Sequence, residues 1–306
     1  MTDTDKFPLQ HGQHIFSVFG EKRVIEYIVH NTQNTRFTKQ HPLLVVQCPG
    51  WGLASRYLQA SLTSLADHFT LVFLHPRGSG ASSPPDSYSE MSSWAMADDL
   101  ERLRVHLGIV SFPALFGHSH SGAIVLSYAE QYPEKVERIV LVGHQLIGSN
   151  ILPQIASFVH EPCYKSAFEV VMSPDILTDE EFTLSLRELL PLYLKNPKAH
   201  LPVLAEALGE DHHSAWCYHA QNKADREAVQ LDMEKDEIPV MIRLLSHVKA
   251  KALIIYDKDD NICPLKNAYT TAEGIPGSKL VVYGDCGHFP WLEKLDVLQE
   301  VKTFLL

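Results

Sequence analysis

The chain has 306 residues, 45% of them apolar and 21% charged, which is typical of a globular protein with a substantial core. Its net charge of −11 argues against a surface that follows nucleic-acid phosphates. No run approaches the ~20 apolar residues that cross a bilayer, and the first residues lack an apolar segment behind a basic start. The five cysteines are scattered and include no CxxC pair. We therefore expect a cytoplasmic protein with reduced thiols and with neither nucleic acid nor membrane as a partner.

Short β-rich runs alternate with helical patterns along most of the chain, which predicts an α/β fold with a mostly parallel sheet flanked by helices. Most runs are continuously apolar, as expected for strands with both faces covered. The predicted strands are Val24–Val29, Leu43–Gln47, Leu71–Leu74, Ala114–Phe116, Arg138–Val142, Ala252–Tyr256 and Lys279–Tyr283. Apolar residues recur at helical spacing in Met96–Leu107 and Gly122–Gln131.

The segment 147–248 breaks this alternation. It has little β-rich sequence, and helical patterns such as Glu180–Leu194 and Leu201–Leu208 dominate it. We predict that it forms a helical lid inserted into a core made of residues 1–146 and 249–306. Lids shape substrate entry and exclude water from a reaction.

The strongest chemical signal is the segment Gly117–Gly122, which follows a predicted strand and leads into an apolar helix. A strand, a tight turn carrying a serine, and a helix are the context of a nucleophile elbow, with Ser119 as the nucleophile. The strict G-x-S-x-G pattern has glycine where this chain has Ser121. Serine is the next-smallest polar residue, so we predict that the turn still forms.

Two later loops complete the pattern that a serine nucleophile requires. One carries Asp257, Asp259 and Asp260 after a predicted strand, and the other carries His288. Serine is a weak nucleophile that needs a base, an imidazole titrates near neutral pH, and a carboxylate fixes the imidazole tautomer. The order Ser, Asp, His at successive strand ends is that of α/β-hydrolases. The local sequence does not separate the three aspartates.

The loops around Ser119 and His288 resemble those of the α/β-hydrolase fold superfamily, in particular proline iminopeptidase-like serine hydrolases. The similarity covers the core, about residues 40–146 and 249–306. It includes the segments Pro49–Gly52, Arg77–Ser82, Asp98–Glu101, Asp260–Pro264 and Gly287–Glu293.

The resemblance implies roles for further residues. It selects Asp260 as the acid, and it implies that the backbone N–H groups of Trp51 and His120 form the oxyanion hole. It also implies an α/β-hydrolase fold for the core, and it does not extend into the predicted lid. The chain departs from the family at Pro49, where histidine is frequent, and at His75, where aspartate is frequent. These departures concern the pocket lining and leave the triad positions intact.

Three further positions are candidates for substrate binding. Gly50 belongs to the glycine-rich loop, and His118 and His144 follow predicted strands. The densest histidine group, Asp211–His213 with His219, has no familiar ligand spacing, so we expect no metal site.

These observations predict a serine hydrolase that cleaves an ester, lactone or thioester of a small molecule through an acyl-enzyme, without a cofactor. One alternative is a proline iminopeptidase-like aminopeptidase, in which Glu206 and Glu210 of the lid would hold a free amine. Another is a ligand-binding, acyl-transferring or cyclising member of the fold that does not hydrolyse, because fold alone does not determine function. The sequence indicates no particular substrate and no oligomeric state.

Overall fold

The computed structural model of the protein describes residues 9–18, 22–31, 41–149, 152–173 and 178–306. Its centre is a sheet with the spatial order β1-β2-β4-β3-β5-β6-β7-β8. The strands are β1 (Gly12–Val18), β2 (Arg23–His30), β3 (Leu43–Gln47), β4 (Thr70–Leu74), β5 (Ala114–His118), β6 (Arg138–Val142), β7 (Lys251–Asp257) and β8 (Lys279–Tyr283). β2 is antiparallel to both of its neighbours, and all pairs from β4 to β8 are parallel. The predicted mostly parallel sheet is confirmed.

Helices connect the strands and cover both faces of the sheet. They are α1 (Arg56–Leu62), α2 (Ser93–His106), α3 (His120–Gln131), α4 (Leu152–Val159), α5 (Lys165–Met172), α6 (Asp179–Leu189), α7 (Pro197–Leu208), α8 (Ala215–Met233), α9 (Val240–Arg243), α10 (Leu265–Gly274), α11 (Pro290–Glu293) and α12 (Asp296–Leu305). None of the helices within the described ranges is both long and apolar enough to span a membrane.

The seven strands predicted from continuous apolar runs are all present, three of them with the predicted bounds. The strand β1 was not predicted. It lies at the edge of the sheet. Half-buried and exposed residues alternate along its first part, and two residues near its end are buried. Its sequence therefore lacks the continuous apolar run by which the other strands are recognised.

The two faces of the sheet explain why the central strands are apolar at every position. In β3, Leu43 and Val45 pack into the core on the side of α2 and α3, whereas Leu44 and Val46 pack on the side of α1 and α12. All four side chains are fully buried. Each face thus has its own hydrophobic core, and the loops at the carboxyl ends of the strands emerge between the two layers.

Between β6 and β7 the described elements are all helices. That residues 147–248 form a separate lid domain stays a prediction. We call residues 147–248 the helical insertion. Its helix α6 begins with a capping box, in which Thr178 and Glu181 exchange hydrogen bonds. The single helix predicted for Glu180–Leu194 is wrong at its end, because α6 stops at Leu189 and a 3-10 turn follows over Leu190–Tyr193. Pro191 causes the stop, since it has no N–H to continue the α-helical pattern.

Candidate active site

The three residues predicted to act as nucleophile, acid and base lie together at the carboxyl edge of the sheet. Ser119 directly follows β5, Asp260 lies in the loop after β7, and His288 lies in the loop after β8. All three are buried, with exposed fractions of 6%, 2% and 1%. Ligand sites in open α/β sheets form at this edge because the strand ends converge there.

Asp260 holds the imidazole of His288 in one orientation. Its Oδ2 lies 2.8 Å from His288 Nδ1, and its Oδ1 accepts hydrogen bonds from the backbone N–H groups of Ile262 (2.7 Å) and Cys263 (3.0 Å). An ionised carboxylate only accepts, so His288 Nδ1 carries the proton and Nε2 keeps its lone pair. This is the tautomer that can take a proton from a serine hydroxyl.

The other two aspartates of the same loop are bound elsewhere. Asp257 accepts from the thiol of Cys286 and from the backbone N–H of Asp259. Asp259 forms an ion pair with Lys195 at 2.8 Å. Tertiary contacts therefore bring Asp260 to the histidine and direct its neighbours away from it.

Ser119 occupies a backbone conformation that non-glycine residues rarely adopt, with φ 55° and ψ −126°. Three hydrogen bonds of 3.0 Å hold it: its N–H donates to the carbonyl of Val142, and its carbonyl accepts from the N–H groups of Gly122 and Gln145. Its Oγ, like His288 Nε2, has no hydrogen-bond partner in the described part of the chain. The strained turn thus presents the hydroxyl on the cavity described below.

The serine that replaces glycine in the elbow pattern has a structural explanation. The hydroxyl of Ser121 accepts from the N–H of His118 (2.9 Å) and donates to the carbonyl of the same residue (2.8 Å). The close approach of strand and helix falls instead at Gly117, where a Cβ atom would lie 2.6 Å from the Cα of Gly122. The prediction that the turn forms despite Ser121 is confirmed.

The two residues predicted to supply the oxyanion hole lie on either side of this turn. His120 is the first residue of α3, and Trp51 lies on the loop after β3. Neither backbone N–H has a hydrogen-bond acceptor within the described ranges. The N–H of Gly50 donates to His120 Nδ1 at 3.1 Å, which fixes the loop against the start of α3.

A buried polar network ties this loop to helix α8 of the insertion. The carboxylate of Asp225 accepts from the N–H (2.7 Å) and hydroxyl (2.9 Å) of Ser93 and from the amide of Gln221 (2.7 Å). Gln221 accepts in turn from the indole N–H of Trp51 at 3.2 Å. The ring of His120 completes the network, with Nε2 at 3.4 Å from Ser93 Oγ. Both proposed oxyanion-hole residues are therefore positioned by side chains of α8.

Ser119 and His288 share one cavity of about 50 Å³, which residues of the helical insertion also line. Its wall is mostly apolar. The lining residues are Pro49, Trp51, Leu53, Tyr57, His118, Ser119, Leu186, Arg187, Leu190, Tyr193, Leu208, His213, His288 and Phe289. A second cavity of about 110 Å³ shares Trp51, Leu186 and Tyr193 with the first and is also lined by the amide side chains of Gln145, Asn222 and Asn261.

Of the three candidate substrate-binding residues, the structure places His118 on the cavity wall and leaves Gly50 and His144 outside it. His118 Nε2 donates to the carbonyl of His288 at 2.8 Å, so the residue also supports the histidine loop. Burial holds the pKa of His118 well below its usual range, and the ring is neutral. The N–H of Gly50 donates to the ring of His120, as described above.

His144 supports the nucleophile turn from behind. A Cβ atom added to Gly122 would lie only 2.4 Å from the Cβ of His144, which leaves no room for a side chain on Gly122. Its Nε2 lies 2.8 Å from the hydroxyl of Thr271, and burial lowers its pKa from 6.5 to about 3. A neutral, fully buried ring at this position keeps the strand-to-helix turn tight.

Several cavity residues carry no signal in the sequence. Phe289 could be inferred from its place beside His288. By contrast, Arg187, Leu190, Tyr193 and His213 reach the wall only because the insertion folds over the sheet edge. Within the described ranges, no group of three histidine, cysteine, aspartate or glutamate side chains is arranged to hold a metal ion.

The sequence matches a known protein family over most of its length: residues 44–295 match the family described as alpha/beta hydrolase fold. A proline iminopeptidase of Arabidopsis thaliana is 24% identical over 240 residues, which are 72% of this chain and 62% of that protein. A 2-hydroxymuconate semialdehyde hydrolase of Pseudomonas sp. (strain CF600) is 27% identical over 58% of this chain and 56% of its own length. The matches thus span less than two thirds of these curated relatives.

Solved structures with a similar fold cover almost the whole chain. An esterase from Thermogutta terrifontis superposes with a TM-score of 0.69 at 20% identity, over 96% of this chain and 97% of the other. An enol-lactonase from Burkholderia xenovorans LB400 also has a TM-score of 0.69, at 18% identity, over 95% of this chain and 99% of the other. At such identities the likeness concerns the fold.

The network through Asp225 predicts that this residue positions the loop of Trp51. Asp225→Asn removes acceptor capacity for Ser93 and Gln221, which costs about 1–3 kcal/mol of stability. Because the loop then loses its fixed position, we expect kcat for an ester substrate to fall roughly 10-fold to 100-fold while KM changes little.

The matched control is Asp232→Asn, the same change on the same helix at a residue that binds Arg243 near the surface. It should leave kcat near the wild-type value. A fully folded Asp225→Asn protein with unchanged kcat would limit the network to a structural role.

Buried His144 predicts a pH-dependent loss of stability. The unfolded chain binds a proton at this residue below its ordinary pKa of 6.5, whereas the folded chain does not until about pH 3. Stability is therefore lost as the pH falls from 6.5 toward 3. Between about pH 7 and pH 5 the wild type should lose about 2 kcal/mol more than His144→Gln, measured by urea unfolding. Equal losses in the two proteins would contradict the burial argument, and the exposed His160→Gln serves as control.

Proposed function

The chain belongs to the alpha/beta hydrolase fold family, and from this premise we propose that it is a serine hydrolase that cleaves an ester, lactone or thioester bond of a small molecule. The observation that carries the proposal is the hydrogen bond from His288 to Asp260, because His288 lines the same cavity as Ser119. The three residues offer an acid, a base and a hydroxyl in the order that acyl transfer requires.

In the first half-reaction, His288 Nε2 takes the proton of the Ser119 hydroxyl while Oγ forms a bond to the substrate carbonyl carbon. The negative charge that develops on the carbonyl oxygen is stabilised by the backbone N–H groups of Trp51 and His120. Asp260 stabilises the imidazolium. The tetrahedral intermediate then collapses, the bond to the alcohol or thiol breaks, and His288 returns the proton to this leaving group.

In the second half-reaction, water replaces the leaving group. His288 takes a proton from the water as its oxygen attacks the acyl-enzyme carbonyl, and the bond to Ser119 Oγ breaks as the proton is returned to the serine. The product is the free acid. The chemistry needs no cofactor, because every proton transfer and every charge is handled by groups of this chain.

The apolar wall supports a small, largely hydrophobic substrate. The cavity that Ser119 lines is also lined by Leu53, Tyr57, Leu190, Leu208 and Phe289, which would bury apolar area of a bound substrate. The second cavity, beyond Trp51, offers space for a further part of the same molecule.

The aminopeptidase alternative requires carboxylates that would hold a free amine. Glu206 and Glu210, the candidates from the sequence, are exposed, and neither lines a cavity around the triad. Among the described residues, the wall of the triad cavity contains no aspartate or glutamate. An ammonium group would lose its hydration there without gaining a charged partner, which favours a neutral or anionic substrate.

The proposed triad predicts covalent labelling by a fluorophosphonate at Ser119, located by mass spectrometry of the labelled peptide. We expect no label in Ser119→Ala and slow labelling in His288→Ala, with ester hydrolysis reduced at least about 1000-fold in both. Asp260→Asn should also lose most activity, since the imidazole loses its orientation.

The control for the aspartate is Asp259→Asn, the same change in the adjacent residue, which binds Lys195 at the surface. It should retain activity. Well-folded protein that neither reacts with the probe nor hydrolyses esters would favour the ligand-binding alternative, whereas labelling without hydrolysis would favour acyl transfer to another acceptor.

The cavity also predicts a preference between bond types. Aryl esters of short fatty acids should be hydrolysed with a kcat/KM at least about 100-fold above that for proline arylamide, because no acidic group receives the amine. The measurement is release of the aryl group from each substrate by the same enzyme preparation. Faster cleavage of proline arylamide would overturn the ester assignment in favour of the aminopeptidase.

A further inference from the structure

Arg187 is one of the residues that line the cavity of Ser119 and His288. Its Nη2 donates to the backbone carbonyls of Gly209 (2.7 Å) and Asp211 (3.5 Å). No described aspartate or glutamate forms an ion pair with it. The described arginines that do form such pairs are Arg23, Arg77, Arg102, Arg104, Arg138 and Arg243.

The surroundings of Arg187 offer no compensating charge. His213, also on the wall, is 7% exposed, and its Nδ1 has no partner in the described chain. Burial, and to a lesser extent the charge of Arg187, lowers the pKa of His213 to about 4, so the ring is neutral near pH 7. The remaining wall residues are uncharged, apart from any proton on His288 during turnover. The described wall therefore carries one positive charge and no negative one.

Arg187 is half-buried, and a guanidinium of which only Nη2 donates to two backbone carbonyls has further N–H donors to offer. Its planar fork matches a carboxylate, and such charge-assisted hydrogen bonds are stronger in an apolar setting than in water. A single guanidinium balances one negative charge, which suits a monocarboxylate better than a phosphate dianion. The neutral ring of His213 can add a hydrogen bond on the same side of the cavity.

We propose that the substrate of this chain carries a carboxylate besides the bond that is cleaved, and that Arg187 binds this carboxylate. The inference rests on the proposed function, since it concerns the same cavity. It narrows the substrate class to half-esters, or to esters of hydroxy or phenolic acids, in which an apolar spacer separates the carboxylate from the scissile carbonyl.

A neighbouring arginine provides the matched control. Arg56 packs against Gly209 as Arg187 does, because a Cβ atom on that glycine would lie 2.4 Å from Arg56 Cζ. Arg56 is exposed and does not line the cavity. Arg56→Met and Arg187→Met therefore remove the same charge near the same residue, and only the second removes it from the cavity wall.

The test compares kcat/KM for two pairs of esters, one for each side of the scissile bond. The acyl-side pair is the mono-para-nitrophenyl ester of adipic acid and para-nitrophenyl hexanoate. The alcohol-side pair is the acetate ester of para-hydroxyphenylacetic acid and that of its methyl ester. In each pair one ester is an anion and the other is neutral.

We expect the anionic ester to be preferred in at least one pair by wild-type protein. The ratio of anionic to neutral kcat/KM should fall about 10-fold or more in Arg187→Met, be partly restored in Arg187→Lys and stay at the wild-type value in Arg56→Met. Ratios that are the same in wild type and Arg187→Met for both pairs would overturn the proposal. An equal fall of this ratio in Arg56→Met would also overturn the proposal, because the preference would then come from the overall positive charge near the cavity and not from a contact with Arg187.

A binding measurement separates this inference from the hydrolase proposal. Hexanoate should raise the melting temperature of the wild type more than hexanamide does, and this difference should vanish in Arg187→Met. If no ester is hydrolysed but the difference is found, the proposed function fails and the carboxylate site stands. If esters are hydrolysed but Arg187 affects neither the ratios nor the melting temperature, the hydrolase stands and the carboxylate site fails.

Discussion

The turn at Ser119 is the constraint on which the rest of the site depends, because its positive φ must be held by the surrounding structure. Backbone hydrogen bonds from both sides hold Ser119 itself, and the hydroxyl of Ser121 closes the turn locally. Behind the turn, Gly122 packs directly against the Cβ and Cα atoms of buried His144. The conformation of Ser119 is thus held by contacts with the end of β5, the start of α3 and the loop after β6.

The helical insertion contributes to the proposed chemistry as well as to the cavity wall. Through Asp225 and Gln221, helix α8 holds the indole of Trp51, and through Ser93 it reaches the ring of His120. A displacement of α8 would therefore move the proposed oxyanion donors relative to the Ser119 hydroxyl. In the proposed reaction, this buried network would link the position of the insertion to the stabilisation of charge at the sheet edge.

The charge in the cavity is what separates the candidate functions most clearly. An aminopeptidase needs a negative group for its substrate's amine, and the wall of this cavity has Arg187 as its fixed charge instead. The two glutamates that the sequence offered for this purpose lie on exposed faces of the insertion. Arg187 is half-buried and forms no ion pair with a described carboxylate, so the sign of this one charge among the described lining residues says more about the ligand than the apolar residues around it.

The sequence by itself determined the mostly parallel sheet, the break at 147–248 and the candidates Ser119 and His288, because continuous apolar strands and a serine on a tight turn are local patterns. Family resemblance, and not local pattern, selected Asp260 among three aspartates. Only the tertiary structure decided that Asp257 and Asp259 bind elsewhere, that His144 supports the turn rather than lining the cavity, and that Arg187 and His213 line the cavity of Ser119 and His288. Those outcomes depend on how distant segments pack and on where each polar group finds its partner, and neither is encoded within a short stretch of chain.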